Sequence, residues 1–177
     1  MTSYDKKVMP LETTRSFGLE GLHTVVVAPD TMCRQEVKNI LENRKFHRIL
    51  VLTDVQLDFI PDPTQKRIAA LPVPGADTKI TEIVRILNEK PTFDLVVITC
   101  DNHPPHHSSF ASNQSELFQE KDVIYSDGTR CRLTQWPVHC VQGSEGVKVH
   151  PSVVEALHAL QKKLGATCPH IVVCPKG

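Results

Sequence analysis

The stretch Asp94-Leu-Val-Val-Ile-Thr-Cys100, which runs directly into Asp101-Asn-His103, decides how this chain folds. Its unbroken row of apolar and β-branched side chains leaves neither face polar. A run of that length between two aspartates suits a strand buried on both faces of a parallel sheet. Three more runs read the same way: His23 to Ala28, Arg48 to Thr53 and His170 to Cys174. Helical patterns separate them. Met32 to Asn43 carries Val37, Ile40 and Leu41 on one stripe, and Thr78 to Glu89 carries Ile80, Ile83, Val84 and Leu87. Ser152 to Leu164 opens with Ser152 and Glu155 in capping-box spacing and ends before Gly165. Alternating strands and helices predict an α/β sandwich with a mostly parallel sheet. Its ligand site belongs beyond the carboxyl ends of the strands.

The 177 residues fit one domain of ordinary size. Twenty basic and twenty acidic side chains cancel, so no bulk field favours nucleic acid or an anionic membrane, and a small-molecule partner is expected. The apolar runs are too short to cross a bilayer, and MTSYDKKVMP at the start lacks a signal-peptide core, which predicts a cytoplasmic protein. Six cysteines at irregular intervals resemble neither a disulfide framework nor a CxxC zinc site, so reduced thiols are expected. Two stretches interrupt the alternation. Residues 61–75 contain four prolines, and residues 102–150 are rich in His, Ser, Gln and Gly. Long irregular loops in a compact domain are usually functional or disordered.

Reading just past each strand gives Cys33, Asp54, Asp101 and Lys176. A thiol, two carboxylates and an amine would then share one sheet edge. A single aspartate there is ordinarily a turn or cap residue; four such groups together suggest chemistry. Asp101 and His103 alternate in an extended chain, so both can face one centre, offering oxygen and nitrogen to a borderline divalent ion such as Zn²⁺. His139, in Trp136-Pro-Val-His-Cys140, is the best third ligand. The competing interpretation is a solvated His-rich loop that binds metal adventitiously.

The elements Asp54-Val-Gln-Leu-Asp-Phe59, Leu71-Pro-Val-Pro-Gly-Ala-Asp77, Asp101-x-His-Pro-x-x-His107-x-Ser-Phe110, Trp136-Pro-Val-His-Cys-Val-Gln-Gly143, His150-Pro151 and Lys176-Gly177 resemble the nicotinamidases of the isochorismatase-like hydrolase superfamily. Order and approximate spacing match over residues 48–177. The first element is common to the superfamily, whereas the histidine-bearing elements are specific to the metal-dependent nicotinamidase branch. The resemblance implies a Rossmann-like three-layer fold and hydrolysis of nicotinamide to nicotinate and ammonia in NAD salvage. It implies that Asp54 and Lys176 belong to an Asp-Lys-Cys triad, that Asp101, His103 and His139 hold the metal, and that His107 lies at or beside it. Zn²⁺ is the first expectation, with Fe²⁺ or Mn²⁺ as alternatives. Phe59 and Trp136 match aromatics that flank the pyridine ring, for which core packing or loop anchoring is the alternative. Asn102 and Leu57 depart from the family pattern.

The family continues past its lysine into the strand, loop and helix that present the nucleophilic cysteine. Residues 1–47 resemble that portion: Ser16 to Ala28 followed by Pro-Asp-Thr-Met-Cys33 matches a strand, a short loop and a cysteine at a helix start, and Tyr4 echoes a Ser-Tyr motif. Either the chain is a circular permutant, with residues 1–47 the relocated cysteine-bearing part and 48–177 the metal-binding part, or it spans the junction of tandem domains. A generic βαβ unit ending in an ordinary thiol is the alternative. With Thr31 as cap, Cys33 would sit in the first helical turn, where unpaired N–H groups lower a thiol pKa. Cys33 is therefore the candidate nucleophile, Asp54 the base and Lys176 the cation beside it. Two rivals stand against catalysis of this kind. One is a non-catalytic remnant that keeps metal or pyridine binding or serves in oligomerisation; the other is a metal-free hydrolase. A homo-oligomer is compatible with either arrangement.

Overall fold

The computed structural model describes residues 15–22, 24–26, 47–64, 66–89 and 92–176. Its chain order is β1 (Thr24–Val26), β2 (Ile49–Thr53), α1 (Ala76–Glu89), β3 (Leu95–Asp101), β4 (Glu120–Ile124), β5 (Arg130–Thr134), α2 (Pro151–Leu164) and β6 (His170–Lys176). Four strands form one wholly parallel sheet in the order β1-β6-β3-β2. The helix predicted over Met32–Asn43, with Cys33, lies outside the described residues. No helix among the described residues is long and apolar enough to cross a membrane.

The two faces of the sheet separate by the period of two that strand geometry imposes. Val96, Ile98 and Cys100 of β3, Ile171 and Val173 of β6 and Leu52 of β2 point into the main core. There they meet Ile80 and Leu87 of α1, Val153, Ala156, Leu157 and Leu160 of α2, and Phe17, Leu19 and Leu22 from the N-terminal segment. Burial of a side chain such as Leu157 stabilises the fold by about 1.5–3 kcal/mol. Leu95, Val97, Val172 and Cys174 form a second cluster on the opposite face. Burial on both faces thus holds for β3 and β6. It fails for β2, where Ile49 and Val51 are about half exposed, because among the described residues this strand has a strand neighbour on one side only.

Local chemistry sets the helix ends. Helix α2 begins at Pro151, whose missing N–H costs nothing at the first helical position. The cap is His150, whose side chain accepts from Ser152 N, so Ser152 is the capped residue and not the capping one. At the other end Gly165 adopts φ 52° and returns its N–H to Gln161 O. Strand β6 runs through Pro175 to Lys176, beyond the apolar run that ends at Cys174. This extension matters for function, because the β3–β6 register then sets Asp101 opposite Lys176.

Residues 102–150 are more ordered than their composition implies. They contain the antiparallel pair β4–β5, closed by Asp127-Gly128, with Gly128 at φ 84° and Thr129 N donating to Asp127 Oδ1 at 2.8 Å. The Asp-Gly turn signal is present in the sequence, but half of the positions in the flanking strands are charged and they show no apolar run.

Candidate functional site

Asp54, Asp101 and Lys176 meet at the carboxyl edge of the sheet. Asp54 leaves β2 with φ 52°, a left-handed conformation, while its N–H donates to Thr99 O at 3.1 Å. Thr99 Oγ1 donates to Asp54 Oδ1 at 2.8 Å and Lys176 Nζ donates to Asp54 Oδ2 at 3.0 Å. The same ammonium also donates to Asp101 Oδ1. Burial disfavours the charged lysine, but its bonds to Asp101 and Asp54 more than offset this and raise its pKa above the ordinary range. One cation thus ties two carboxylates together.

The other oxygen of Asp101 faces two imidazoles. Asp101 Oδ2 lies 3.5 Å from His103 Nε2 and 3.5 Å from His139 Nε2. Ligand atoms of these three residues all fall within 4.8 Å of one another, and both rings are buried. His139 Nδ1 lies 2.7 Å from Pro137 O, and a proton there leaves the Nε2 lone pair aimed at the cluster. Burial works against the ionised Asp101 carboxylate, yet His139 and Lys176 hold it well below the usual carboxylate range. His103 is pushed down by burial, which favours the neutral, ligating form. His139 is driven down by burial and up by its contact with Asp101, and the upward effect wins. One carboxylate oxygen and two imidazole nitrogens converging in a buried site are the donor chemistry that a borderline divalent ion takes.

His107 stands beside this group. Its ring centroid lies 4.4 Å from that of His103, its Nδ1 lies 2.7 Å from Ser109 Oγ, and burial pushes its pKa down. Phe59 and Phe110 wall the cluster, each with its ring centroid 5.5 Å from that of His139. Trp136 sits farther out. It is about a third exposed and packs edge-on against Phe118, while its backbone N–H donates to Ser109 O at 2.7 Å. Cys33 lies outside the described residues.

Gln56 received no role from the sequence. It is fully buried, and its side chain brackets the backbone of Asp101: Nε2 donates to Asp101 O at 2.7 Å, while Oε1 accepts from Asp101 N at 2.7 Å. A further bond runs from Nε2 to Val147 O at 2.8 Å. The available signal was the alternation of Asp54, Gln56 and Asp58 between apolar neighbours, a period of two that sets three polar groups on one side of an extended segment.

No protein-family model matches the chain. The nicotinamidase of Acinetobacter baylyi is 36% identical over 107 residues, which make up 59% of this chain and 43% of that protein. The nicotinamidase of Escherichia coli K12 is also 36% identical over 107 residues, covering 59% of this chain and 45% of that protein. The chain thus spans less than half the length of these curated relatives. Among solved structures, the yeast nicotinamidase Pnc1p bound to the inhibitor nicotinaldehyde superposes with a TM-score of 0.57 at 25% identity, covering 73% of this chain and 56% of that one. An Acinetobacter baumanii nicotinamidase superposes with a TM-score of 0.50 at 28% identity, covering 76% and 53%. Over the matched part of its length, then, this chain is related in sequence and in fold to the nicotinamidases.

Proposed function

We propose that the chain hydrolyses nicotinamide to nicotinate and ammonia, a step of NAD salvage, with Asp54, Lys176 and Cys33 as its catalytic groups and Phe59 and Trp136 beside the substrate ring. The observation that carries this reading is the contact of Lys176 with both Asp54 and Asp101, which joins a carboxylate base to the three-residue donor set at one sheet edge. A divalent ion held by Asp101, His103 and His139, with His107 close by, would supply a Lewis-acid seat for the pyridine nitrogen; Zn²⁺ suits the donors, and Fe²⁺ or Mn²⁺ are alternatives.

The chain's own residues account for the bond changes. Asp54 takes the proton from the Cys33 thiol as sulfur attacks the carboxamide carbon. Collapse of the tetrahedral adduct breaks the C–N bond, and Asp54 returns the proton to nitrogen so that ammonia leaves a thioester. Asp54 then takes a proton from water as its oxygen attacks the thioester carbonyl, which expels the thiolate; Asp54 returns that proton to the Cys33 sulfur, and the released acid gives its own proton to solvent as nicotinate. Lys176 remains cationic and favours the anionic states of its neighbours.

Two observations support Cys33. Strand β1 lies parallel to β6, so the chain leaves β1 toward the edge that carries Lys176, and Cys33 follows that exit by seven residues. Residues 1–47 would then supply the cysteine-bearing part of the fold to the metal-binding part in 48–177. In addition, Cys100 and Cys140 have no exposed surface, and burial pushes the Cys100 thiol up to about 12 and the Cys140 thiol higher still. Burial also raises Cys168 and Cys174.

The test is ammonia release from nicotinamide by the full chain with added Zn²⁺, alongside Cys33→Ala. Activity that disappears with Cys33 is expected. A parent chain that binds metal and releases no ammonia overturns hydrolysis in favour of a binding role; full activity in Cys33→Ala overturns the choice of nucleophile.

A further inference from the structure

Asp58, the second acidic residue of the segment that carries Asp54, is 8% exposed. Its carboxylate Oδ2 accepts the backbone N–H of Cys140 at 2.7 Å, a buried bond between segments 82 residues apart. Cys140 is one of three non-glycine residues with positive φ among the described residues, at 45°. That conformation costs on the order of 1–2 kcal/mol and persists only where the surroundings impose it. The same residue joins both imidazoles of the donor set, since it follows His139 in the chain and its carbonyl accepts from His103 N at 3.0 Å. Gln142 N in turn donates to His103 O at 2.9 Å, which closes the link between the two loops.

Asp58 reaches this junction because the chain makes room for it. A Cβ on Gly146 would stand 1.9 Å from Asp58 Oδ2, and Gly146 O accepts Asp58 N at 3.0 Å. The remaining polar contacts of the carboxylate are long: Arg67 and Ala70 N approach Oδ1 at 3.4 Å each. The short bond is the one to the ligand-bearing loop.

We infer that Asp58 is a positioning residue for the metal centre: through the N–H of Cys140 it fixes the backbone that aims His139 and His103 at Asp101. The inference rests on the reading of Asp101, His103 and His139 as metal ligands. It separates Asp58 from Gln56, which secures the third ligand through the backbone of Asp101 itself.

The experiment titrates the full 177-residue chain with Co²⁺, following the visible ligand-field bands, for the parent, Asp58→Asn and Asp58→Leu. Thermal melts of the metal-free proteins run in parallel. Asn keeps an acceptor oxygen without the charge, whereas Leu keeps the shape without an acceptor. Supporting residues around metal ligands typically alter affinity about 10- to 100-fold when removed, so Leu should weaken Co²⁺ binding at least tenfold and Asn about threefold, with altered bands in both. A merely structural role would lower the melting temperature and leave affinity and bands unchanged well below it, which overturns the inference. Should Asp58→Leu fail to fold, Asp58→Asn decides alone: parental affinity and bands overturn the inference, and weakened binding upholds it. A parent chain that takes up no Co²⁺ overturns the metal reading itself, and the positioning role with it.

Discussion

Lys176 Nζ donates to Asp54 Oδ2 at 3.0 Å, across 122 residues of sequence, while its other bond goes to Asp101. The parallel register makes this contact, because Asp101 and Lys176 are direct partners across β3 and β6 and Asp54 N is held by Thr99 O one strand further on. Asp54, Lys176 and Asp101 therefore form one electrostatic unit. Asp54→Asn should slow ammonia release about 10²–10⁴-fold, the usual contribution of a general base. Lys176→Met should slow it about a hundredfold. Steady-state kinetics of the double variant should give a loss close to the larger single loss, since groups acting as a unit are not additive. Multiplied losses would mean that the two act independently.

Alkylation separates the thiols. At about pH 7.5, iodoacetamide should label Cys33 ahead of the buried Cys100 and Cys140, whose thiols burial holds in the unreactive protonated form. Peptide mass mapping at short times reads the order. Early labelling of Cys100 or Cys140 would contradict their burial.

Gly146→Ala should destabilise the chain by about 1–3 kcal/mol, the usual cost of forcing an extra group into a packed interior. The new Cβ would overlap the Asp58 carboxylate, which cannot withdraw without losing its bond to Cys140. Urea denaturation measures the effect; an unchanged midpoint would show that the Asp58 region yields without cost.

Stability should fall in mild acid. Burial, assisted by the positive charge of Arg67, holds His150 below its ordinary pKa of 6.5, so the fold favours the neutral ring. Neutral Nδ1 is also the acceptor that caps α2. A depressed folded-state pKa gives a contribution that is complete above pH 6.5 and is lost as pH falls through the lower folded value. His150→Asn keeps a capping acceptor but cannot titrate in this range. Its urea midpoint should therefore decline less steeply than the parent's between neutral pH and about pH 5. Equal slopes would remove His150 as a source of the acid sensitivity.

Much of this was legible in the chain itself. The runs at residues 48–53, 94–100 and 170–174 mark strands because continuous short runs of β-branched and apolar residues suit a parallel sheet, although only the last two are buried on both faces, and the stripe through Ile80, Ile83 and Leu87 marks a helix because its spacing matches 3.6 residues per turn. Asp101, His103 and His139 stood out because few other residue types can serve a metal. The β4–β5 pair stayed hidden because half of its strand positions are charged, and the cap of α2 was misread because a histidine before proline is an uncommon cap.

The sequence by itself determined the parallel α/β architecture and named Asp101, His103 and His139 as a candidate donor set at the carboxyl edge of the sheet, since periodicity and residue chemistry are local properties. Only the tertiary structure decided that β6 continues to Lys176, that this lysine bridges Asp54 and Asp101, and that Gln56 and Asp58 hold the ligand loops. Those bonds link segments 45 to 122 residues apart and depend on strand register and on the space left at Gly146. Neither quantity is set until the sheet has assembled.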